Sequence, residues 1–449
     1  MKIIIAGAGE VGFHLAKLLS YEAQDITLID TDKESLSYAD NHLDIKVLRG
    51  DATSVTVLKE ANVQNSDLTI AVTASETTNL TLCFLAKQLG CKRTIARISN
   101  TEFIDNKELI DFSQLGIDEL ISPEELAASE IQLLLNKSAF TDTYEFEEGL
   151  LTMVGVFLPK NAPFVGKMVK EAARIFPELH FMPIALQRMG TQYTRIPRGD
   201  TVFKEGDQVY FITTPEGVEK LYRLTGMQKK DIKNVMILGG SKVGFKTARD
   251  LCNNRFNVKL IEKNKEKAFE MADMLPNALV INGDGRNVEL LEEESLESMD
   301  AFIAVTGNSE TNIMSCLMAK SKNIKKTIAM VENMDYFQLS QSIGVDTLIN
   351  KKLLAANNIF RYIRRGEVVA LTRLNNLNAE ILEFVVKPTS LVNGEIIREL
   401  DFPREASIGG VIRDDKGIIA LGDFKIQQGD RVVVCCLPKA IPRIEKLFL

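Results

Sequence analysis

The sequence predicts an α/β protein: two doubly wound parallel-sheet lobes of the Rossmann type, each followed by a small α+β lobe. Three observations carry this. A glycine-rich turn closes a short apolar run at the N-terminus, a second such turn follows 232 residues later, and an internal repeat joins the two. The first turn lies in Lys2-Ile3-Ile4-Ile5-Ala6-Gly7-Ala8-Gly9-Glu10-Val11-Gly12, the second in Val235-Met236-Ile237-Leu238-Gly239-Gly240-Ser241-Lys242-Val243-Gly244. Each reads as a buried strand, a glycine turn and an amphipathic helix. In that arrangement backbone N–H groups and a helix N-terminus meet a pyrophosphate.

The long-period self-similarity of the chain decides its architecture before any local motif does. At an offset of 232, Val11, Gly12, Phe13, Ala16, Leu19 and Asp30 meet Val243, Gly244, Phe245, Ala248, Leu251 and Glu262. One inserted residue moves the offset to 233. Gly50-Asp51, Ala71-Val72-Thr73, Thr78-Asn79, Cys83 and Thr94-Ile95-Ala96 then meet Gly283-Asp284, Ala304-Val305-Thr306, Thr311-Asn312, Cys316 and Thr327-Ile328-Ala329.

In chain order, apolar runs near 2–6, 26–30, 45–49, 68–73 and 93–98 predict strands separated by helical patterns. That alternation builds right-handed βαβ units and a parallel sheet. A sixth strand, Glu119-Leu120-Ile121, precedes Ser122-Pro123-Glu124-Glu125. There Ser122 caps, Pro123 takes the first helical position and Glu125 closes a capping box. This helix runs to about 138 and leaves the first lobe, and its counterpart begins at Asn350. From about 145 to 224 the pattern changes to short alternating runs, including Leu151–Val156 and Gln208–Ile212, read as a β-meander. Glu205-Gly206-Asp207-Gln208-Val209 is echoed by Gln428-Gly429-Asp430-Arg431-Val432, and a polar joint, Gln228-Lys229-Lys230-Asp231, separates the halves. The expected domains are 1–138, 139–226, 232–366 and 367–449, nucleotide-type and small lobes in alternation.

Within the first fingerprint Gly7 permits the tight turn, Gly9 lets a pyrophosphate approach, and Gly12 lets the helix pack against the strand. Ala8, Glu10 and Val11 complete the turn. Asp30 ends the second strand about 20 residues on, where a carboxylate binds both ribose hydroxyls. With Asp32 beside it, it favours NAD(H) or an adenine nucleotide over NADP(H). Asp51, Thr73, Ala74 and Arg97 follow or end strands three to five, where such sheets place ligands. The second copy offers Gly239, Gly240, Ser241, Lys242, Val243, Glu262, Asp284 and Thr306. It departs in two places: Ser241 adds a side chain where a phosphate comes closest, and Met330 stands in place of Arg97. Lys242, in place of Glu10, is positioned to meet a further phosphate. For this copy, nucleotide binding and a vestigial structural role both stay open.

Composition narrows the classes. A chain of 449 residues, 45% hydrophobic and 26% charged, suits several domains with real cores. No uncharged apolar run reaches the ~20 residues of a membrane helix, and the N-terminus enters a strand without a signal-peptide pattern. Six cysteines without a Cys-x-x-Cys pair argue against a disulfide scaffold and a zinc site. Cys83 and Cys316 read as core, and Cys435-Cys436 as neighbours on opposite faces of a strand. A net charge of −7 argues against nucleic acid. The expectation is a cytosolic protein. The three histidines, His14, His42 and His180, have no counterparts in the other copy. Outside the nucleotide lobes nothing forms the acid, base or metal cluster that catalysis needs. No catalytic or metal-binding residue is therefore nominated, and an NAD-dependent oxidoreductase with an unrecognised site is the alternative reading. Arg361, Arg364 and Arg365 read as a solvated helix end rather than a face for an acidic partner or anionic lipid.

Gly7-Ala8-Gly9-Glu10-Val11-Gly12, Asp30, Gly50-Asp51, Val72-Thr73 and Ile95-Ala96-Arg97 together resemble the first nucleotide-binding lobe of the TrkA family. Its members are cytosolic regulatory subunits of bacterial Trk potassium-uptake systems, and their lobes are called RCK or KTN domains. Ile303-Ala304-Val305-Thr306 and Asn312-Ile313-Met314-Ser315 extend the likeness into the second half, and the alternating layout extends it over the whole chain. The resemblance implies a peripheral protein on the inner face of the membrane, assembled as a ring beneath a membrane-embedded potassium transporter. It implies NAD(H) and ATP or ADP as ligands. Single-copy relatives form rings of eight lobes, which for a tandem chain implies a homotetramer. Inter-lobe helices (here about 123–138 and 351–365) and small lobes would mediate pairing.

Overall fold

The computed structural model describes residues 1–20, 24–100, 102–106, 109–136, 140, 142–175, 181–188, 191, 193–224, 232–332, 344–364, 370–373 and 379–448. The joint at 228–231, His180 and Arg365 lie outside them, as do the side chains of Arg361 and Arg364.

The first lobe holds β1 (Lys2–Ala6), β2 (Asp25–Asp30), β3 (Lys46–Arg49), β4 (Leu68–Ala71), β5 (Arg93–Arg97) and β6 (Glu119–Ile121). They form one parallel sheet in the order β3-β2-β1-β4-β5-β6. The order reverses between β1 and β4, so the carboxyl ends of these strands open a crevice above the first glycine turn. β4 is shorter than expected, because Thr73 leaves the strand direction to bond with the next helix.

The small lobe that follows holds β7 (Asp142–Phe146), β8 (Leu151–Phe157), β9 (Phe181–Gln187), β10 (Thr194–Arg195) and β11 (Gln208–Thr213). Its sheet is antiparallel but not a meander: β11 inserts between β8 and β9, giving β10-β9-β11-β8-β7. The sequence misled because β8 and β11 are covered on both faces, which blurs any period-two pattern. Val154, Val156, Val209 and Phe211 enter their own lobe's core, whereas Leu151, Met153, Tyr210 and Ile212 face the other small sheet.

The second half repeats the plan. β12 (Asn234–Leu238), β13 (Asn257–Glu262), β14 (Ala278–Asn282), β15 (Ala301–Ala304), β16 (Lys326–Met330) and β17 (Thr347–Ile349) have the same parallel order as the first lobe. β18 (Ala370–Arg373), β19 (Glu380–Val385), β20 (Ala406–Arg413), β21 (Lys416–Ile418) and β22 (Arg431–Cys436) build the second small sheet. Cys435 enters the layer between the small sheets and Cys436 the opposite core, and all six cysteines are free.

Each half donates its linker helix to the other. Helix Pro123–Asn136 places Ala127, Ile131, Leu134 and Leu135 in the core with Val235, Ile237, Val243 and Leu251 of the second lobe. Helix Lys351–Arg364 places Ala355, Ile359 and Phe360 in the core with Ile3, Ile5, Val11 and Leu15 of the first. The expected capping box is half formed. Ser122 Oγ accepts from the Glu125 N–H at 3.2 Å, but the Glu125 carboxylate crosses to Lys246 Nζ of the second lobe at 3.0 Å. Lys246 is itself buried, so an opposite charge there serves better than a cap.

Candidate nucleotide clefts

The first cleft is built from the turn after β1. Gly7 has φ 110°, a conformation glycine adopts freely, and its N–H donates to Ile29 O at 2.9 Å. A Cβ on Gly12 would stand 1.8 Å from Gly7 O, so helix Glu10–Ser20 lies against the turn only because no side chain intervenes. A Cβ on Gly9 would meet nothing within 4 Å: that face of the turn is open. Val11 packs its side chain in the core, so only its amide faces the cleft. Among the described residues no side chain accepts from the first amides of this helix, which leaves its positive end available to an anion.

Asp30 is fixed at the rim. Its Oδ2 accepts from the Ala8 N–H at 2.5 Å and its Oδ1 from the Asp32 N–H at 2.9 Å. Each carboxylate oxygen retains a lone pair for a ribose hydroxyl. Asp51 Oδ1 accepts from both the amide and the hydroxyl of Thr53 at 2.8 Å, and these bonds hold its carboxyl below the usual range. It stays ionised and exposed.

The ends of β4 and β5 are tied by a residue whose role the sequence did not reveal. Buried Asn79 accepts at Oδ1 from the Thr73 amide (2.9 Å) and hydroxyl (2.7 Å), while its Nδ2 donates to Thr73 O (3.1 Å) and Arg97 O (2.8 Å). Thr73 therefore lines the cleft with its amide and hydroxyl already committed. Ala74 follows it, and the half-buried Arg97 side chain has no hydrogen bond or ion pair with a described residue. The Thr78-Asn79 match to Thr311-Asn312 was the available signal, and the second lobe repeats the clamp. Asn312 bonds Thr306 N and Oγ1 at 3.0 and 2.6 Å and donates to Met330 O at 2.8 Å.

The second cleft keeps the backbone geometry and fills the space. Gly239 has φ 104°, and the Gly240 N–H donates to Glu262 Oε2 at 2.9 Å. Ser241 Oγ accepts from the Gly244 N–H at 3.2 Å and donates to Val305 O at 2.7 Å, so the hydroxyl caps this helix, whereas the counterpart has no side-chain cap among the described residues. Val243 is a core residue. Glu262 lies 3.7 Å from Lys267, and Asp284 is paired with Arg286 at 2.7 Å and Lys263 at 3.1 Å. The bonds from Arg286 hold the Asp284 carboxyl far below the usual range. The side chains of Ser241, Glu262, Asp284 and Thr306 thus already have partners within the chain.

The two clefts are wired to each other. Lys352, at the start of the second linker helix, pairs with Glu10 at 2.8 Å and with Glu332 of the second lobe at 2.9 Å. Lys242, the repeat partner of Glu10, donates from Nζ to Ser99 O of the first lobe at 3.3 Å. Ser99 and Asn100 in turn donate their amides to Glu76 Oε2 at 2.9 Å. Two cations from the second half thus stand at the mouth of the first cleft.

The TrkA-N domain model matches residues 3–123 and 235–351, and the TrkA-C domain model matches 153–226 and 381–449. The chain is 33% identical to the Trk system potassium uptake protein TrkA homolog 1 of Methanosarcina mazei, over 100% of both chains. It is 34% identical to the Trk system potassium uptake protein TrkA of Haemophilus influenzae, over 100% of this chain and 98% of that one. Among solved structures it is similar to the GsuK RCK domain, with a TM-score of 0.61 at 17% identity, covering 100% of this chain and 94% of that one. The GsuK channel bound to NAD gives the same TM-score and identity, with 100% of this chain and 78% of that one covered. At that identity the likeness speaks for the fold.

Proposed function

The chain belongs to the TrkA family of tandem TrkA-N and TrkA-C domain proteins, and from that premise we infer that it is a regulatory, nucleotide-binding subunit of a potassium uptake system. The observation that carries this is the first cleft, whose glycine turn is open at Gly9, whose helix start has no side-chain cap among the described residues and whose rim carboxylate, Asp30, is pinned by two backbone amides. Those residues fit a dinucleotide or an adenine nucleotide. The pyrophosphate would meet the amides of Gly9, Glu10 and Val11, and the ribose hydroxyls would meet Asp30. NAD(H) and ATP or ADP are the ligands proposed for this cleft. The self-satisfied second cleft, with Gly239, Gly240, Ser241, Lys242, Val243, Glu262, Asp284 and Thr306, is assigned a weaker site or a structural role.

Gating would follow from the cations at the cleft mouth. A ligand shifts a conformational equilibrium only through its differential affinity for the two states. NAD(H) and ATP differ at the end remote from the adenine, the end that in this reading would meet Arg97, Lys242 and Lys352. A terminal phosphate competes with Glu10 for Lys352, and so acts on the linker helix that seats the second lobe on the first. A near-complete switch takes about 5.5 kcal/mol, which spread over four chains is roughly 1.4 kcal/mol each, a tenfold affinity difference per site.

We place the chain in a homotetrameric ring against the inner face of a membrane-embedded potassium transporter. Exposed apolar residues at matching repeat positions, Val55 and Val288, support repeated lobe-to-lobe contacts, and exposed Met314 lines the same hollow as Val288. Among the described residues no helix is long and apolar enough to cross a membrane. Potassium flux into vesicles containing the transporter subunit tests the proposal. With the chain added, exchanging NADH for ATP should change the flux several-fold. A flux indifferent to both nucleotides would overturn it.

A further inference from the structure

The two small lobes meet across a layer that contains a charged cluster. Glu383 sits in β19 on the face turned towards the first small lobe, with 2% of its side chain exposed. Arg431 on the adjacent β22 approaches it: Nη1 is 3.6 Å from Glu383 Oε1, an ion-pair distance too long for a hydrogen bond, and that oxygen has no hydrogen-bond partner. The same Nη1 donates to Glu147 Oε1 of the first small lobe. Glu147 holds this position with φ 42°, a left-handed conformation a glutamate adopts only where its surroundings impose it. Two carboxylates thus share one guanidinium in a layer otherwise packed with Leu151, Met153, Ile184, Ile212, Ile381 and Val433.

The cluster is particular to this joint. In the first small sheet the strand pairing puts Gly155 where Glu383 stands and Gln208 where Arg431 stands, and Gln208 Nε2 donates to the Tyr210 hydroxyl instead. Among the described residues the other groups facing Glu383 are neutral. Ala370 lies opposite on β18, and Tyr144 and Tyr210 belong to the same layer. Cys435 on β22 is buried, and burial pushes its thiol up. Glu145 and Glu380 alternate onto the other faces of their strands.

We propose that Glu383 is a proton-binding site through which the contact between the two small lobes responds to pH, independently of what the nucleotide clefts hold. Protonated, Glu383 leaves Arg431 wholly to Glu147, and the joint is closed with no net charge inside it. Ionised, it competes for the guanidinium, and the layer carries an unbalanced negative charge. Burial first, then the charge of Glu147, pushes the Glu383 carboxyl up to about 7 against the pull of Arg431. A carboxyl raised in this way binds its proton more tightly in the folded chain than in the unfolded one. Its stabilising contribution is therefore full below the ordinary glutamate value and is lost as pH rises through about 7.

Thermal melting of the full chain and of Glu383→Gln, from about pH 5.5 to about pH 8.5, tests this. The wild-type midpoint should fall by several degrees more than that of the variant as pH rises. Amide protection in Asp142–Phe146, corrected for the intrinsic rise of exchange with pH, should fall over the same interval in the wild type alone. Superimposable pH profiles would overturn the proposal. Should Glu383→Gln fail to fold, Glu147→Gln carries the test. Without the rival carboxylate Glu383 keeps Arg431 as a stable ion pair, so the profile should flatten. A profile unchanged from wild type would refute the site.

Discussion

Gly12→Ala is expected to destabilise the first lobe by about 3 kcal/mol and to abolish nucleotide binding there. The added methyl would stand 1.8 Å from Gly7 O. That neighbour is backbone, so no rotamer change relieves the clash. Either helix Glu10–Ser20 retreats from β1 or the Gly7 turn opens, and both displace the bare helix end from the open face at Gly9. Gly244→Ala, with its methyl 2.0 Å from Gly239 O, should destabilise the second lobe comparably while leaving the first cleft able to bind. Thermal denaturation with and without NADH separates the two. A Gly12→Ala protein of wild-type stability that still binds would show that the turn does not position the ligand.

Asp30→Ala should weaken NAD(H) by about 2 kcal/mol, roughly thirtyfold, through loss of hydrogen bonds from a charged acceptor to the ribose hydroxyls. The change also frees the amides of Ala8 and Asp32, which now end on the carboxylate. Asp30→Asn, which keeps one acceptor oxygen, should fall between the two. Glu262→Ala should leave the tight site unchanged, because Glu262 serves Gly240, Asn264 and Lys267 of its own lobe. Calorimetry giving equal affinity for wild type and Asp30→Ala would remove Asp30 from the site.

The parallel sheets were legible because their signals are local. A glycine turn after an apolar run, repeated with its carboxylate, leaves little choice of topology. The exchange of linker helices was not legible. The apolar face of Pro123–Asn136 says that Ala127, Ile131 and Leu134 must be covered, but not that the cover is Val243 and Leu251 of the other half. The small-sheet order was hidden for a related reason: β8 and β11 are apolar on both faces, so neither pattern nor spacing reveals which strand lies between.

The clefts were read unevenly. Ser241 was visible as a side chain at the phosphate approach, but its hydroxyl's use as a helix cap depends on Val305 O, 64 residues away in sequence. Asn79 was visible only as a repeated residue. Its clamp joins carbonyls at the ends of two strands, which no local pattern encodes. That the Lys242 ammonium reaches Ser99 of the other lobe was not legible, because the partner lies 143 residues away in sequence.

The most direct measurement is a calorimetric titration of NADH, and separately of ATP, into the intact chain, with the nucleotide assayed afterwards. A nucleotide sensor built on the first cleft predicts one tight site per chain and nucleotide recovered unchanged. No heat with either compound, two equal sites, or NADH consumed at enzymatic speed would contradict it.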